Sequence, residues 1–153
     1  MTGIRHFTAS AIVLDDADRV LLVHHNKLGM WLYPGGHVDP NEDPAQAVAR
    51  EVREEVGIEV DIVAAPNFFH LAVEVVPSPF TILVMNVADA AVGTHQHIDM
   101  VHVCRPRSME VVHQADELSG CRWVPVSEVA GLNTPPELPS LIMKGAEYLK
   151  SFR

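Results

Sequence analysis

GHVDPNEDPAQAVAREVREEVGI, residues 36–58, decides how the middle of this chain folds. Asp43 is a residue type that caps helices, Pro44 suits the first helical position, and Gln46 stands where the reciprocal partner of a capping box belongs. Ala45, Val48, Val52 and Val56 recur at helical spacing and make one apolar stripe. Gly57 supplies the C-terminal stop. The pattern predicts a helix over residues 44–56.

The same helix carries an arrangement that works against its own stability. Glu51, Glu54 and Glu55 are spaced i, i+3 and i+4 and share one face, beside the valine stripe. The Glu51–Glu55 like-charge pair costs on the order of 0.2–0.5 kcal/mol. Glu54 and Glu55 also sit at the negative end of the helix dipole, each at a cost of roughly 0.3–1 kcal/mol. Arg50, four residues before Glu54, recovers part of this. A divalent cation would reverse the sign of the whole contribution, and carboxylate oxygens are the ligands that magnesium, manganese and calcium prefer. Taken alone, three glutamates at this spacing also fit a solvated acidic face.

Upstream, Trp31, Leu32 and Tyr33 form a short apolar piece ended by Pro34, and Gly35 and Gly36 permit a tight backbone path. Residues 7–14 and 20–25 read as strands joined through a turn at 15–18, which predicts a hairpin. Downstream, strands are predicted over 58–63, 68–76, 80–87 and 98–104, with Pro77 and Pro79 interrupting the middle two, and a last short strand at 122–124. Ser127 is placed to cap a short helix through Leu132. Pro135, Pro136 and Pro139 stiffen the next connection, and a closing helix covers 140–150. Strands and helices mix without a βαβα rhythm, so an α+β fold, helices sandwiching a mixed sheet, is expected.

At 153 residues, 48% of them apolar, the chain is expected to form a single domain over 1–153. Its formal charge of −9 disfavours a nucleic-acid polymer as partner, because such binding draws on Lys and Arg. A small phosphorylated ligand remains compatible if a cation intervenes. Cys104 and Cys121 offer neither a disulfide framework nor a zinc motif and read as buried small hydrophobes. The opening residues lack a secretory pattern and no apolar run is long enough to span a membrane, so a soluble, cytoplasmic protein is expected. Of nine histidines, His95, His97 and His102 are the densest group, with Asp99, in and just before the strand predicted over 98–104, where alternation keeps them from all sharing a face. Substrate contact by His97 or Asp99 at a strand edge is a better expectation there than a metal site. His24, His25 and His37 fall near the presumed cleft mouth. Tyr33, Phe68, Phe69 and Trp123 are expected in the core, with base stacking as the other use of such rings.

The order Gly36, five residues, Glu42, seven residues, Arg50-Glu51-Val52, one residue, Glu54-Glu55, one residue, Gly57-Ile58 resembles the Nudix box at all nine specified positions. The run from Trp31 to Gly36 resembles the family's entry into the box. The resemblance implies an α/β/α sandwich with a mixed sheet and hydrolysis of a nucleoside diphosphate linked to another moiety. It implies that Glu51, Glu54 and Glu55 bind magnesium or manganese, with Glu51 the first choice for general base. Arg50 would orient the glutamates, and Glu42 would organise the loop or meet the metal through water. The carbonyl of Gly35 or Gly36 would be a further metal ligand. Many members add a carboxylate shortly before a late Trp, and Glu117, six residues before Trp123, fits that place. The implied partner is a small phosphorylated substrate, a nucleotide in most members, and homodimers are frequent in the family. The other use of such a domain is a silent nucleotide-binding module, which typically loses box carboxylates; this box has lost none.

Overall fold

The computed structural model describes residues 3–89 and 93–152; part of the opening segment, from Met1, lies outside them. Eight strands run β1 Arg5–Val13, β2 Arg19–His25, β3 Met30–Leu32, β4 Gly35–His37, β5 Val60–Ile62, β6 Thr81–Asp89, β7 Gly93–Pro106 and β8 Leu118–Pro125. Helix α1 spans Pro44–Val56 and helix α2 spans Leu138–Lys150, with a short 3-10 helix at Val126–Gly131 between β8 and α2.

The strands form two sheets. In the first, β1 pairs in parallel with β7 and antiparallel with β4. The other edge of β7 takes β6 and then β5, both antiparallel. In the second, β2 lies between β3 and β8, all antiparallel. Alternation along β1 and β2 feeds two cores. Ala9, Ala11, Val13, Leu21 and Val23 pack with Val48, Val52 and Val56 of α1. Ile12, Leu14, Val20 and Leu22 pack with Val101, Val103, Ile142 and Leu149 toward α2. A helix therefore covers each face of the strand layer, as the expected α+β sandwich requires. Each large aliphatic side chain buried in these cores contributes roughly 1.5–3 kcal/mol.

Several local expectations are corrected. β1 and β2 do not form a hairpin ladder; among the described residues they are paired only by the Leu14–Val20 bridge. Both edges of β1 are already taken, and Asp15 accepts the amides of Ala17 and Arg19 and the Arg19 guanidinium, which turns the chain into the second sheet. Residues 68–76 form no strand. The free edge of β7 is filled by β5 and β6, so the alternating run finds no ladder there. Phe68, Phe69, Leu71 and Val73 are all exposed, against the expected burial of the two phenylalanines. Ser127 caps nothing: the 3-10 helix starts at Val126, with Pro125 in the cap position and no side-chain cap. The closing helix begins two residues early and takes Pro139 into its first turn, where a missing N–H is harmless. Cys104 is buried as expected, and Cys121 is half-buried.

Candidate active site

Helix α1 starts and stops where its sequence says. Gln46 N donates to Asp43 Oδ1 at 2.8 Å and Asp43 N donates to Gln46 Oε1 at 2.9 Å. Gly57 adopts φ 73°, and its N–H donates to the Arg53 carbonyl. The buried side is Ala47, Val48, Val52 and Val56, with Ala47 in place of the expected Ala45, and it includes Glu55.

The three glutamates are graded in depth. The Glu54 side chain is 58% exposed and that of Glu51 16%, whereas Glu55 as a residue is 6% exposed. Arg50 lies among them. Its Nε and Nη2 grip both oxygens of Glu42 at 2.8 and 3.0 Å. Its Nη1 donates to Glu51 Oε1 at 3.0 Å and to Glu54 Oε2 at 3.2 Å, and Nη2 also donates to the His37 carbonyl at 2.9 Å. This planar fork fixes the loop before the helix against the helix itself. It holds the Glu42 carboxyl below its usual range. The dipole and like-charge costs are thus offset more fully than the i−4 spacing alone indicated.

Glu55 lies outside the reach of that fork. Its Oε1 accepts the Gly35 N–H at 3.0 Å. Burial pushes its pKa up to about 8; the Gly35 amide opposes the rise, and the charges of Glu51 and Glu117 reinforce it. Glu51 is raised as well, by burial first, against the pull of Arg50. Glu51 and Glu55, four residues apart on α1, interact, and the Glu51 charge helps to raise Glu55.

Both glycines are explained by close approach. A Cβ on Gly35 would collide with Ser10 and with the Ala9 carbonyl on β1. A Cβ on Gly36 would lie 2.5 Å from Cδ and Oε1 of Glu51. These contacts account for the missing side chains.

Glu117 is brought to the site by a device the sequence did not announce. The amides of Val112 and Gln114 donate to the Val56 and Glu55 carbonyls at 3.2 and 2.8 Å, so the loop before β8 closes the end of α1. Asn26 then pins the loop, its N–H donating to the Glu117 carbonyl at 2.9 Å and its amide to the Asp116 carbonyl at 3.2 Å. Glu117 acts electrostatically on both Glu55 and His25. Burial lowers the pKa of His25, and Glu117 partly restores it.

The remaining expected residues go elsewhere. β7 is a central strand at His97 and Asp99, paired on both sides, so neither lies at a sheet edge. Asp99 is 2% exposed and accepts from Thr8, Ser10 and Tyr33 at 2.9, 2.8 and 2.7 Å. It organises this part of the fold, and two hydroxyls alternating in an otherwise apolar strand were the signal for it. The His37 ring turns away from the glutamates toward His6 and His97, and only its carbonyl reaches Arg50. The His97 pKa is lowered by burial and then by His37 and His95. His24 bonds to Ser119 and packs its ring on Trp31. Trp123 Nε1 donates to the Met109 carbonyl at 3.2 Å.

Among known proteins, the chain is similar to a NUDIX-family hydrolase from Clostridium perfringens, with a TM-score of 0.80 at 24% identity over 95% of this chain and 99% of that one. It also superposes on the NUDIX domain of Shewanella oneidensis NrtR complexed with ADP ribose, TM-score 0.70 at 20% identity over 95% and 89% of the two chains. In sequence it is 29% identical to the NAD-capped RNA hydrolase NudC of Stutzerimonas stutzeri over 85% of this chain and 42% of that protein. It is 29% identical to a CMP-5'-(N-acetyl-N-hydroxy-3-aminopropyl)phosphonate hydrolase of Streptomyces rubellomurinus over 81% of this chain and 53% of the relative. The matched region thus spans about half or less of these curated relatives. The family model for the NUDIX domain matches residues 4–143, enclosing α1, its arginine fork and the Glu117 loop. On that match, and on a box whose every charged position takes part in one bonded or electrostatically coupled cluster, the chain belongs to the NUDIX family.

Proposed function

We propose that this protein is a hydrolase that cleaves the diphosphate linkage of a nucleotide or nucleotide derivative, with magnesium or manganese bound at the carboxylate cluster. The observation that carries this is Glu55. It is a buried carboxyl that feels the charges of two others, Glu51 and Glu117, and among the described residues no cationic side chain bonds to it. A protein gains nothing in stability from such a group; a hard divalent cation is what its oxygens suit. The donors fit that ion: Glu51, Glu54, Glu55 and Glu117 would hold it, with the Gly35 carbonyl as a further candidate.

When bound, such a cation supplies charge neutralisation for the phosphates and lowers the pKa of a coordinated water. Phosphoryl transfer otherwise asks the protein mainly for positioning. Arg50 does this by fixing Glu51 and Glu54 on the helix and Glu42 on the loop. Glu51, half-buried and bonded to Arg50, is the choice for the general base that takes the proton of the attacking water. The substrate's charge is met by the ion, since the chain is itself strongly acidic. The products would be a nucleoside monophosphate and a phosphorylated remainder, or pyrophosphate from a nucleoside triphosphate. The reading takes the chain as one domain, 1–153, working in the cytoplasm, with a homodimer as a compatible assembly. Among the described residues no helix is long and apolar enough to cross a membrane.

The test is to incubate the protein with magnesium and a panel of nucleoside triphosphates, nucleotide sugars, ADP-ribose and dinucleotides, and to measure released phosphate or monophosphate. Wild type turns over one class and Glu54→Gln loses at least ~100-fold of that rate, the scale expected when a reacting group is misplaced. Undiminished turnover in both Glu54→Gln and Glu55→Gln would sink the proposal. Stabilisation by ADP-ribose with no product from any substrate would favour the nucleotide-binding module instead.

A further inference from the structure

A second group of ligating side chains gathers away from the carboxylates. β1 and β7 run in parallel with His6 opposite His97, and β4 sets His37 opposite Thr8. Ala9 and Ala11 face α1, so the alternating positions His6, Thr8 and Ser10 face the other way. His95 and His97, two apart on β7, bring their rings to the same place.

The ligand atoms of His6, His95 and His97 all lie within 4.8 Å of one another. His95 Nε2 and His97 Nε2 are 3.1 Å apart, and His6 Nδ1 lies 3.2 Å from His37 Nε2. Two ligands of a tetrahedral zinc ion, each about 2.0–2.1 Å from the metal, stand about 3.3 Å apart. His95 and His97 are thus already at ligand-to-ligand spacing, and His6 lies within 4.8 Å of both.

His95 gives a second, independent observation. It is 3% exposed, and its Nδ1 bonds to the Gly93 carbonyl at 3.0 Å. A carbonyl only accepts, so Nδ1 carries the hydrogen and Nε2 is the ring atom turned into the cluster. A backbone carbonyl holding the far nitrogen is the usual support of a metal-bound histidine.

We infer that His6, His95 and His97 form a binding site for a transition metal of zinc-like preference, separate from the carboxylate cluster. Three imidazoles are borderline-soft nitrogen ligands, suited to zinc, copper or nickel and poorly suited to magnesium. Three protein ligands leave the fourth tetrahedral position to water or an external ligand. His37 is hydrogen-bonded to His6 at the rim, and the His37 carbonyl receives Arg50, so the two sites share one short strand. The inference does not depend on the hydrolase reading.

The probe is zinc alone, titrated into metal-free protein in competition with a chromophoric chelator, with cobalt as an optical reporter of geometry. We expect one zinc equivalent that persists in the Glu54→Gln/Glu55→Gln double variant and weakens at least ~100-fold in His95→Ala/His97→Ala, the scale of losing ligands or their support. Cobalt in wild type should give the intense visible bands of a four-coordinate, nitrogen-rich site. This spectrum needs no histidine variant to fold. A tight equivalent that vanishes in the glutamate variant, or that survives unchanged in the histidine variant, would overturn the inference. So would a purely six-coordinate cobalt spectrum, which would leave the imidazoles as a hydrogen-bonded cluster.

Discussion

The α-carbon of Gly36 faces the carboxylate of Glu51 so closely that a methyl group there would stand 2.5 Å from Cδ and Oε1 of that side chain. The glycine on the loop and the glutamate on the helix therefore occupy complementary space. Gly36→Ala must push Glu51 off its bond to Arg50, or push the loop off β1. A displacement of about 1 Å in a reacting constellation costs about 100-fold in rate. We expect Gly36→Ala to lose turnover on that scale while keeping a cooperative melt. Steady-state kinetics beside a thermal melt checks it.

Arg50 makes five hydrogen bonds to four residues from one guanidinium. Lysine keeps the charge but cannot reproduce the fork that grips Glu42 while reaching Glu51, Glu54 and the His37 carbonyl. Arg50→Lys should therefore destabilise the protein by about 1.5–3 kcal/mol, the range for hydrogen bonds to charged groups. It should also raise the magnesium concentration needed for half-maximal activity. Urea unfolding and a magnesium titration measure the two effects. A lysine variant indistinguishable from wild type in both would show that the arginine acts only as a point charge.

The helix was legible because each of its signals is local. The Asp43–Gln46 box, the valine stripe and Gly57 act within a few residues of chain, and the structure shows them all. Most strands were legible as segments, β3 and β4 were not, and the pairings were not. The hairpin between β1 and β2 was expected because neighbouring strands usually pair, yet β4 and β7 had claimed both edges of β1 from far along the sequence. The run at 68–76 has strand-like alternation and found no edge. In the site, residue types and helical spacing put Glu51, Glu54 and Glu55 together. The depth of Glu55, the Gly35 amide that holds it, and the loop carrying Glu117 depend on tertiary approach. The histidines show the same limit. Alternation correctly separated His102 from the others, but parallel pairing supplied His6, which no local pattern relates to His97.

Glu55 gives a pH dependence with a definite sign. In the metal-free protein its folded-state pKa is raised to about 8 from an ordinary 4.5. Between those values the native state holds a proton that the unfolded chain has released. Stability on this account therefore falls as pH rises through the window, and below it the two states bind protons alike. Glu55→Gln keeps an oxygen to accept the Gly35 N–H and carries no charge. In the presence of a chelator, the variant should match wild type at the acid end and exceed it by about 2 kcal/mol at pH 8, once relaxation around the charge is allowed for. Saturating magnesium should reverse the order at pH 8, because only wild type gains from the ion. Urea melts at pH 5 and pH 8, with and without metal, decide it. Identical pH slopes for the two proteins would mean that Glu55 is well solvated.

Asp99, buried, and Tyr33, half-buried, form another polar point. Asp99 Oδ1 accepts from both Thr8 and Ser10, and Oδ2 accepts the Tyr33 hydroxyl at 2.7 Å. Burial, then the Asp99 charge and this bond, raise the Tyr33 pKa above its ordinary value, so the phenol remains the donor throughout the working pH range. Asp99→Asn replaces one acceptor by an amide N–H₂ that must face a donor hydroxyl on one side or the other. That mismatch inside a buried network should cost about 2–4 kcal/mol. Tyr33→Phe removes one donor and leaves the carboxylate its two hydroxyl partners, so its cost should be nearer ~1 kcal/mol. If the network is a unit, the double variant should lose less than the sum of the two, because the tyrosine has little left to bond once Asp99 is gone. A double-mutant cycle by urea unfolding measures that coupling. Strict additivity would mean that Tyr33 is held by its packing rather than by Asp99.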